Sequence, residues 1–417
     1  MSEPRQGVFR ALANSRNFRI WSAGAIVSNI GAWMQRIAQD WLVLTELTHH
    51  DAAAVGLVTA LQFLPPLLLF PWTGHAADHL DRRKLLILTQ SALGLLALGL
   101  GLLTVTGAVR LWHVYVFALL LGCATAFDAP ARQTFVGDMV GEGDLANAVA
   151  INATSFNASR LVGPAISGLL IAAVGSGTVF LINAASFLAV LVSLMAMRTA
   201  DLHPAPRPPA EGGRLAAGLR YVAARSDLKA LFVMLFLFGS FCLNFTVVIS
   251  AMSVKTFHLD ADGFGLLTSA LAVGTVTGAV LAARRERPTL ALIAGGLGMF
   301  AVANAVAAIA PGEIWFGLIL IPVGIAAQTV TTSTVALLQI STDRVMRGRV
   351  MALALTLSLG GQPIGSPLSG WIANTAGPRW AMAFSAFVGL VAAGIGLRYI
   401  LRNRQGLVTE PEESAAG

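Results

Sequence analysis

Runs of about twenty apolar residues, each closed by a short polar or basic turn, recur along this chain of 417 residues. Twenty residues at about 1.5 Å rise cover a hydrocarbon core of roughly 30 Å, and a helix satisfies its own backbone hydrogen bonds there. The composition agrees, because 56% of the residues are hydrophobic and only 12% are charged, against about 25% charged in a typical soluble domain. Mean hydropathy is +0.72. The pattern predicts an all-α membrane protein.

We predict twelve transmembrane helices in two six-helix pseudo-symmetric bundles. The predicted domains are an N-terminal bundle at 1–198, a cytoplasmic linker at 199–227, a C-terminal bundle at 228–401 and a cytoplasmic tail at 402–417. A short helix on the membrane surface, and an unstructured tether with a little helix, are both compatible with the linker. The twelve predicted spans are residues 19–47, 52–77, 85–106, 111–135, 145–173, 178–198, 228–256, 262–283, 289–310, 313–340, 347–375 and 379–401.

The distribution of basic residues predicts that both termini are cytoplasmic, because Lys and Arg concentrate in short cytoplasmic loops. With that orientation the outer loops hold only Arg110, Lys255 and Arg379, while Arg36 and Arg160 lie within spans. Removing these five from the 28 basic residues leaves 23 on the inner side. A basic rim facing anionic lipid head groups also explains the net charge of +7 without a nucleic-acid partner.

Span 1 carries a polar stripe. Asn29, Trp33, Arg36 and Asp40 follow one another at i, i+4, i+7 and i+11, so they share one face of a helix. Arg36 and Asp40 can pair at i, i+4. Two interpretations stay open: a self-neutralised pair near the outer end of a tilted span, or a carboxyl at Asp40 that binds and releases a proton during transport.

Arg160 lies about fifteen residues into span 5, near the bilayer midplane. An arginine there costs about 2.5–3.5 kcal/mol on insertion scales and is usually retained for an ionic partner or a cavity. A weak internal repeat with an offset of 202 aligns Arg160 with Gln362 in span 11, so the second half uses a neutral amide at a matching depth. An acidic partner, with Asp40 as the candidate, or an anionic cargo group would explain Arg160. A purely structural buried pair is the alternative.

The segment after span 2, residues 74–84, resembles the loop 2–3 signature of the major facilitator superfamily. Gly74, Asp78 and the basic pair Arg82 and Arg83 match it, while two other positions differ from the signature. The resemblance implies that Asp78 accepts hydrogen bonds from the N-terminus of span 11 and latches the cytoplasmic side. For Arg83 a simple positive-inside anchor is an alternative.

Span 5 contains a Gly-Pro pair that looks like the motif of proton-coupled drug exporters in this superfamily. Pro164 can bend the helix, and Gly163 with Gly168 allows another helix to pack closely. The counterpart in span 11 has Gly365 and Pro367.

The end of span 4, residues 127–133, resembles the twelve-span exporter branch that includes enterobactin and macrolide exporters. Asp128 in this segment lies within expected reach of Arg82 or Arg132. Such a cluster suits a cytoplasmic gate whose charges change partners, and proton carriage by Asp128 is the alternative.

The resemblance covers residues 8–402. It implies a secondary active transporter that exports bulky amphiphilic small molecules, such as drugs or siderophores, by proton-coupled alternating access in the bacterial inner membrane. The sequence contains no G-x-x-x-x-G-K-[ST] loop, no G-x-S-x-G elbow and no H-E-x-x-H pair, so we expect neither nucleotide hydrolysis nor an intramembrane hydrolase. We expect no enzyme activity, cofactor or metal, and a monomer. An importer or facilitator of a small metabolite, and a non-transporting sensor or scaffold, are the alternatives.

We expect a cargo cavity lined by spans 1, 4, 5, 7, 8, 10 and 11. Its candidate walls carry few fixed charges, and such a surface suits bulky amphiphilic molecules better than sugars. Packing in the core or against lipid is the alternative role for these side chains. The candidate wall residues are Asn29, Trp33, Gln62, Phe63, Asn157, Asn244, Phe245, Met252, Gln328 and Gln362.

Overall fold

The computed structural model describes residues 9–203, 214–284 and 288–402, and within these ranges the chain is helical with no strand. The side chains within these ranges that the structure leaves undescribed are Phe70, Pro71, Gly74, His75, Ala77, Asp78, Glu142, those of residues 214–217, Ala283, Arg344, Val345 and Leu359.

Fifteen α-helices account for most of the described residues, together with short π-helical turns at Leu42–Leu47, Phe238–Cys242 and Met252–Thr256 and 3₁₀ turns at Glu142–Asp144 and Thr199–Asp201. The α-helices are α1 Arg10–Asn14, α2 Arg16–Trp41, α3 Ala52–His79, α4 Arg82–Val105, α5 Leu111–Met139, α6 Leu145–Met195, α7 Arg214–Ala224, α8 Ser226–Leu237, α9 Phe245–Ala251, α10 Ala261–Ala283, α11 Leu290–Ala308, α12 Glu313–Ile340, α13 Arg344–Gly360, α14 Gln362–Thr375 and α15 Pro378–Arg402.

Short polar side chains fix where several helices begin. The Ser15 hydroxyl accepts a hydrogen bond from the Phe18 amide at the start of α2. Asp51 and Asp81 accept from free amides in the first turns of α3 and α4, and Thr289 does so for α11. These four side chains satisfy backbone donors that have no intrahelical partner.

Nine helical segments in the described residues are long and apolar enough to cross a membrane. One of them, α6, contains both predicted spans 5 and 6, which meet where Gly175 interrupts the helical torsion angles. Predicted span 1 corresponds to α2, which carries the polar stripe. Predicted span 11 is divided into α13 and α14, with 17 and 14 residues, so neither alone is long enough. The all-α membrane architecture is confirmed.

The chain forms two compact units. One comprises Met1–Ala210, Thr246–Ser269 and Ser366–Pro378, and the other comprises Glu211–Phe245, Ala270–Gly365 and Arg379–Gly417. The division at residues 199–227 into sequential halves stays a prediction.

The apolar core of the first unit lies where α2, α4, α5 and α6 meet. Trp21 and Phe135 pack edge to face with ring centroids 5.9 Å apart, and both are buried. This core holds the half of α2 that precedes the polar stripe.

In the second unit, α7 is a helix, which both linker interpretations allow for this segment. Gly218 packs closely against Arg349 and Leu353 of α13. The Tyr221 hydroxyl donates to Asp343 Oδ2 at 3.0 Å, just before α13. The described end of the linker is therefore anchored to the α12–α13 turn.

We expect Gly175→Ala to destabilise the protein. Gly175 has φ +80° and ψ 161°, a conformation available essentially to glycine alone and costing about 1–3 kcal/mol otherwise. The apparent melting temperature in detergent should fall, whereas Gly295→Ala, at a helical glycine where an added Cβ would lie in open space, should keep or raise it. Equal melting temperatures for both variants would contradict the assignment of strain to Gly175.

Candidate functional site

The polar face of α2 is held close against α6. A Cβ atom at Gly163 would lie 2.6 Å from Trp33 Cβ, so only glycine permits this approach. The Ser167 hydroxyl donates to the Met34 carbonyl at 2.9 Å, one turn further along α6. Gly163 therefore allows the close helix packing that the sequence predicts for it.

Two arginines lie around the Trp33 indole. Arg36 Cζ is 5.3 Å from the ring centroid of Trp33 and 5.7 Å from that of Phe63 in α3. Arg160 Cζ in α6 is 5.8 Å from the Trp33 centroid. The Phe156 ring packs edge to face with Trp33 at 5.8 Å. The structure thus brings Arg36 and Arg160 together, a pairing that the sequence did not indicate.

Asp40 is buried, with 4% of its surface exposed. Its Oδ2 atom has no hydrogen-bond partner within the described part of the chain. Asp40 attracts Arg36 electrostatically, and Arg36 repels Arg160. Among the described residues Asp40 and Arg160 form no ion pair, so the expected partnership between them is absent.

Asp128 has a complete set of partners. Its Oδ1 accepts from Thr89 Oγ1 at 2.8 Å and from Gln90 Nε2 at 2.6 Å. Its Oδ2 lies 3.2 Å from Arg132 Nη2. Of the two arginines expected within reach of Asp128, Arg132 is therefore the one that pairs with it. Arg132 also donates to Asn29 Oδ1 at 3.1 Å. Asn29 is therefore part of this buried network, and its place in the wall of a cargo cavity stays a prediction.

Arg82 pairs with Asp138 at 2.7 Å rather than with Asp128. Arg83 Nε donates to the Leu194 carbonyl at 2.8 Å, so this side chain caps the end of α6 and is more than a free surface charge. The side chains of Gly74 and Asp78 lie outside the described residues, and the predicted latch stays a prediction.

The remaining wall candidates in the first unit have different surroundings. Gln62 and Phe63 are half-buried on α3. Asn157 donates to the Ala153 carbonyl of its own helix at 2.9 Å. Met252 is fully buried, so it is a core residue. The apolar pattern of span 7 did not indicate which face of the helix would be buried.

The candidates in the second unit are mostly occupied by local contacts. Asn244 is buried and donates to the Ser240 carbonyl at 2.8 Å. Phe245 packs against Phe300 with centroids 6.1 Å apart. Gln328 donates to Thr332 Oγ1 at 3.0 Å. Gln362 is buried, with 8% exposure.

Glycines also allow close packing further along α6 and in span 11. A Cβ at Gly168 would lie 2.6 Å from the Ala261 carbonyl oxygen, and one at Gly365 would overlap the Ser240 carbonyl. The backbone of α6 keeps helical torsion angles through Pro164, and its one non-helical position among the described residues is Gly175. Pro367 lies within α14.

An unanticipated polar cluster joins three helical segments at the α2–α3 end of the first unit. The Asn374 amide of α14 donates to Asp51, and its Oδ1 accepts from the Ala52 amide at 2.9 Å. Lys255 Nζ lies 3.2 Å from the same Oδ1. Asp51 and Asn374 are 323 residues apart in sequence, so no local pattern could reveal the contact.

No group of three or more His, Cys, Asp or Glu side chains able to hold a metal occurs in the described part of the molecule.

Comparisons with known proteins define the class of this helical membrane fold. Solved structures share the fold. An inward-facing, unoccupied bacterial homologue of the human lysosomal transporter Spinster has a TM-score of 0.71 and 16% identity, covering 97% of this chain and 99% of that one. A POT family transporter in complex with 5-aminolevulinic acid has a TM-score of 0.75 and 13% identity, covering 96% and 98%.

The family model described as transmembrane secretion effector matches residues 7–415. The chain therefore belongs to this family of major facilitator superfamily transporters. Among similar proteins, the staphyloferrin A transporter of Staphylococcus aureus is 26% identical over 84% of this chain and 87% of its own length. The enterobactin exporter EntS of Shigella flexneri is 25% identical over 98% of this chain and 95% of its own length.

We expect Asn374→Ala to loosen the contact between α14 and the start of α3. The substitution removes the acceptor of the Ala52 amide and a donor to the Asp51 carboxylate, bonds worth about 1–3 kcal/mol each. Hydrogen exchange of the α3 N-terminal peptide, followed by mass spectrometry, should accelerate. Thr375→Ala is the control, because among the described residues the Thr375 hydroxyl bonds only to the Trp371 carbonyl of its own helix. Equal protection in wild type and Asn374→Ala would exclude a stabilising role.

Proposed function

We propose that this transporter exports amphiphilic small molecules, siderophores among them, by proton-coupled alternating access. The proposal includes a monomer in the bacterial inner membrane with both termini cytoplasmic. The family description as a secretion effector and the resemblance to an enterobactin exporter support the outward direction. The basic-residue bias supports the orientation.

The observation that carries the coupling is the position of Asp40. An ionised carboxylate buried without hydrogen bonds is costly, and one oxygen of Asp40 has no partner among the described residues. The carboxyl therefore avoids this cost when it is protonated, or when water or a mobile hydrogen-bond donor reaches its unpartnered oxygen. A change of conformation that alternately buries and hydrates Asp40 would exchange its proton with opposite sides of the membrane.

Asp128 is less suited to this role. Its two oxygens are already engaged by Thr89, Gln90 and Arg132. Such a network fixes the Asp128 side chain between α4 and α5 and gives it a structural role. We assign Asp128 to holding α4 and α5 together at the α3–α4 end, where the sequence suggests a gate.

We expect Asp40→Asn to abolish proton-driven transport and to retain exchange of substrate down its own gradient. The amide fills the same space but cannot carry a proton. The measurement is substrate movement in proteoliposomes, with and without an imposed pH gradient. Asp262→Asn is the matched control, because Asp262 is exposed in the first turn of α10. Proton-driven transport by Asp40→Asn at the wild-type rate would remove Asp40 from the mechanism.

We expect Asp128→Asn to act on stability instead. Removing one member of a buried ion pair leaves the Arg132 charge uncompensated, a change worth about 3–5 kcal/mol. The apparent melting temperature in detergent should fall by several degrees, and by more than in Asp40→Asn, because one oxygen of Asp40 has no hydrogen-bond partner among the described residues. If Asp128→Asn were stable but had lost proton-driven transport, the coupling role would instead belong to Asp128.

A further inference from the structure

The cluster around Trp33 holds two cations and has an incomplete set of partners. Neither Arg36 nor Arg160 donates a hydrogen bond to, or forms an ion pair with, any residue that the structure describes; their close contacts are with aromatic rings. A guanidinium carries five N–H donors around its edge, and a ring beneath its face satisfies none of them. The donors of both side chains are available to a ligand.

The electrostatic balance of this cluster is positive. Arg36 and Arg160 are close enough to repel each other, and Asp40 is the acidic group that acts on Arg36. One carboxylate cannot neutralise two guanidiniums, and a protonated Asp40 neutralises neither. Retaining two cations inside a membrane helix bundle is expensive, so an anion supplied from outside the chain would stabilise the arrangement.

The surroundings of the two cations are aromatic. Trp33 and Phe63 are half-buried, and Phe156 is exposed by 46% in the isolated chain. Flat rings of this kind bind the apolar or aromatic body of a ligand, while the guanidinium edges bind a carboxylate-like pair of oxygens. The two kinds of surface occur side by side on α2, α3 and α6.

We propose that Arg36 and Arg160 bind a carboxylate group of the transported molecule, and that Trp33, Phe63 and Phe156 contact the apolar part beside it. The proposal rests on the proposed transport of amphiphilic small molecules and narrows their class to acids. Neutral and cationic amphiphiles would leave the two guanidiniums unpaired and so bind more weakly.

The test uses a fluorescent pair that differs only in the charged group, N-dansylglycine and its neutral amide, with purified protein in dodecyl maltoside. Wild-type protein should bind the acid about ten- to a hundredfold more tightly than the amide, as expected for charge-assisted hydrogen bonds. Arg160→Gln should lose most of this preference and bind the amide as wild type does. Arg160→Lys should keep part of it, because the charge remains but the bidentate edge is lost.

Arg110→Gln is the matched control, because it removes the same charge at an exposed position and should preserve the preference. Melting temperatures and amide binding show whether Arg160→Gln is folded. Equal affinity of wild-type protein for acid and amide, or an unchanged preference in a folded Arg160→Gln variant, would overturn the proposal and leave the cluster as packing. No pH gradient is present in this binding assay, so its result is independent of whether Asp40→Asn retains proton-driven transport.

Discussion

The close contact between α2 and the part of α6 that precedes Gly175 determines the geometry of the candidate site. Gly163 lets the Trp33 backbone approach α6, and Ser167 ties the next turn to the Met34 carbonyl. A side chain at position 163 would separate the helices and move Arg160 away from the indole. Because both arginines are positioned relative to Trp33, the charged cluster depends on this helix–helix contact.

The first unit holds two buried acids in contrasting states. Asp128 has hydrogen-bond donors on both oxygens and an arginine one turn away. Asp40 has a neighbouring arginine but an unpartnered oxygen among the described residues. In a low-dielectric interior a satisfied carboxylate stabilises the fold, whereas an unsatisfied one responds to any change in its surroundings. The distribution of donors, more than depth in the membrane, separates the two proposed roles.

The sequence predicted the helices well and their partners poorly. Apolar run length located the membrane helices, and the glycines of span 5 indicated close packing because small residues have this role wherever membrane helices meet. The neighbours of Arg160 were not predictable, since periodicity places a residue on a face without saying which helix that face meets. For the same reason the sequence left open whether Met252 lines a cavity or packs in the core, where the structure buries it. The contact of Asn374 with Asp51 connects residues too distant for any local pattern.

The π-helical turn at Leu42–Leu47 begins two residues after Asp40, and Met252–Thr256 follows α9 in the same way. A π turn accommodates one residue more than an α turn. If that extra residue moves along the span, each residue it passes rotates about the helix axis by roughly 100° and advances by about 1.5 Å, while the backbone stays hydrogen-bonded. A shift of register by one position would thus turn the Asp40 carboxyl to a different face of the helix without unfolding a turn. The end of α2 beside the charged cluster would in that case exchange which of its side chains face inward.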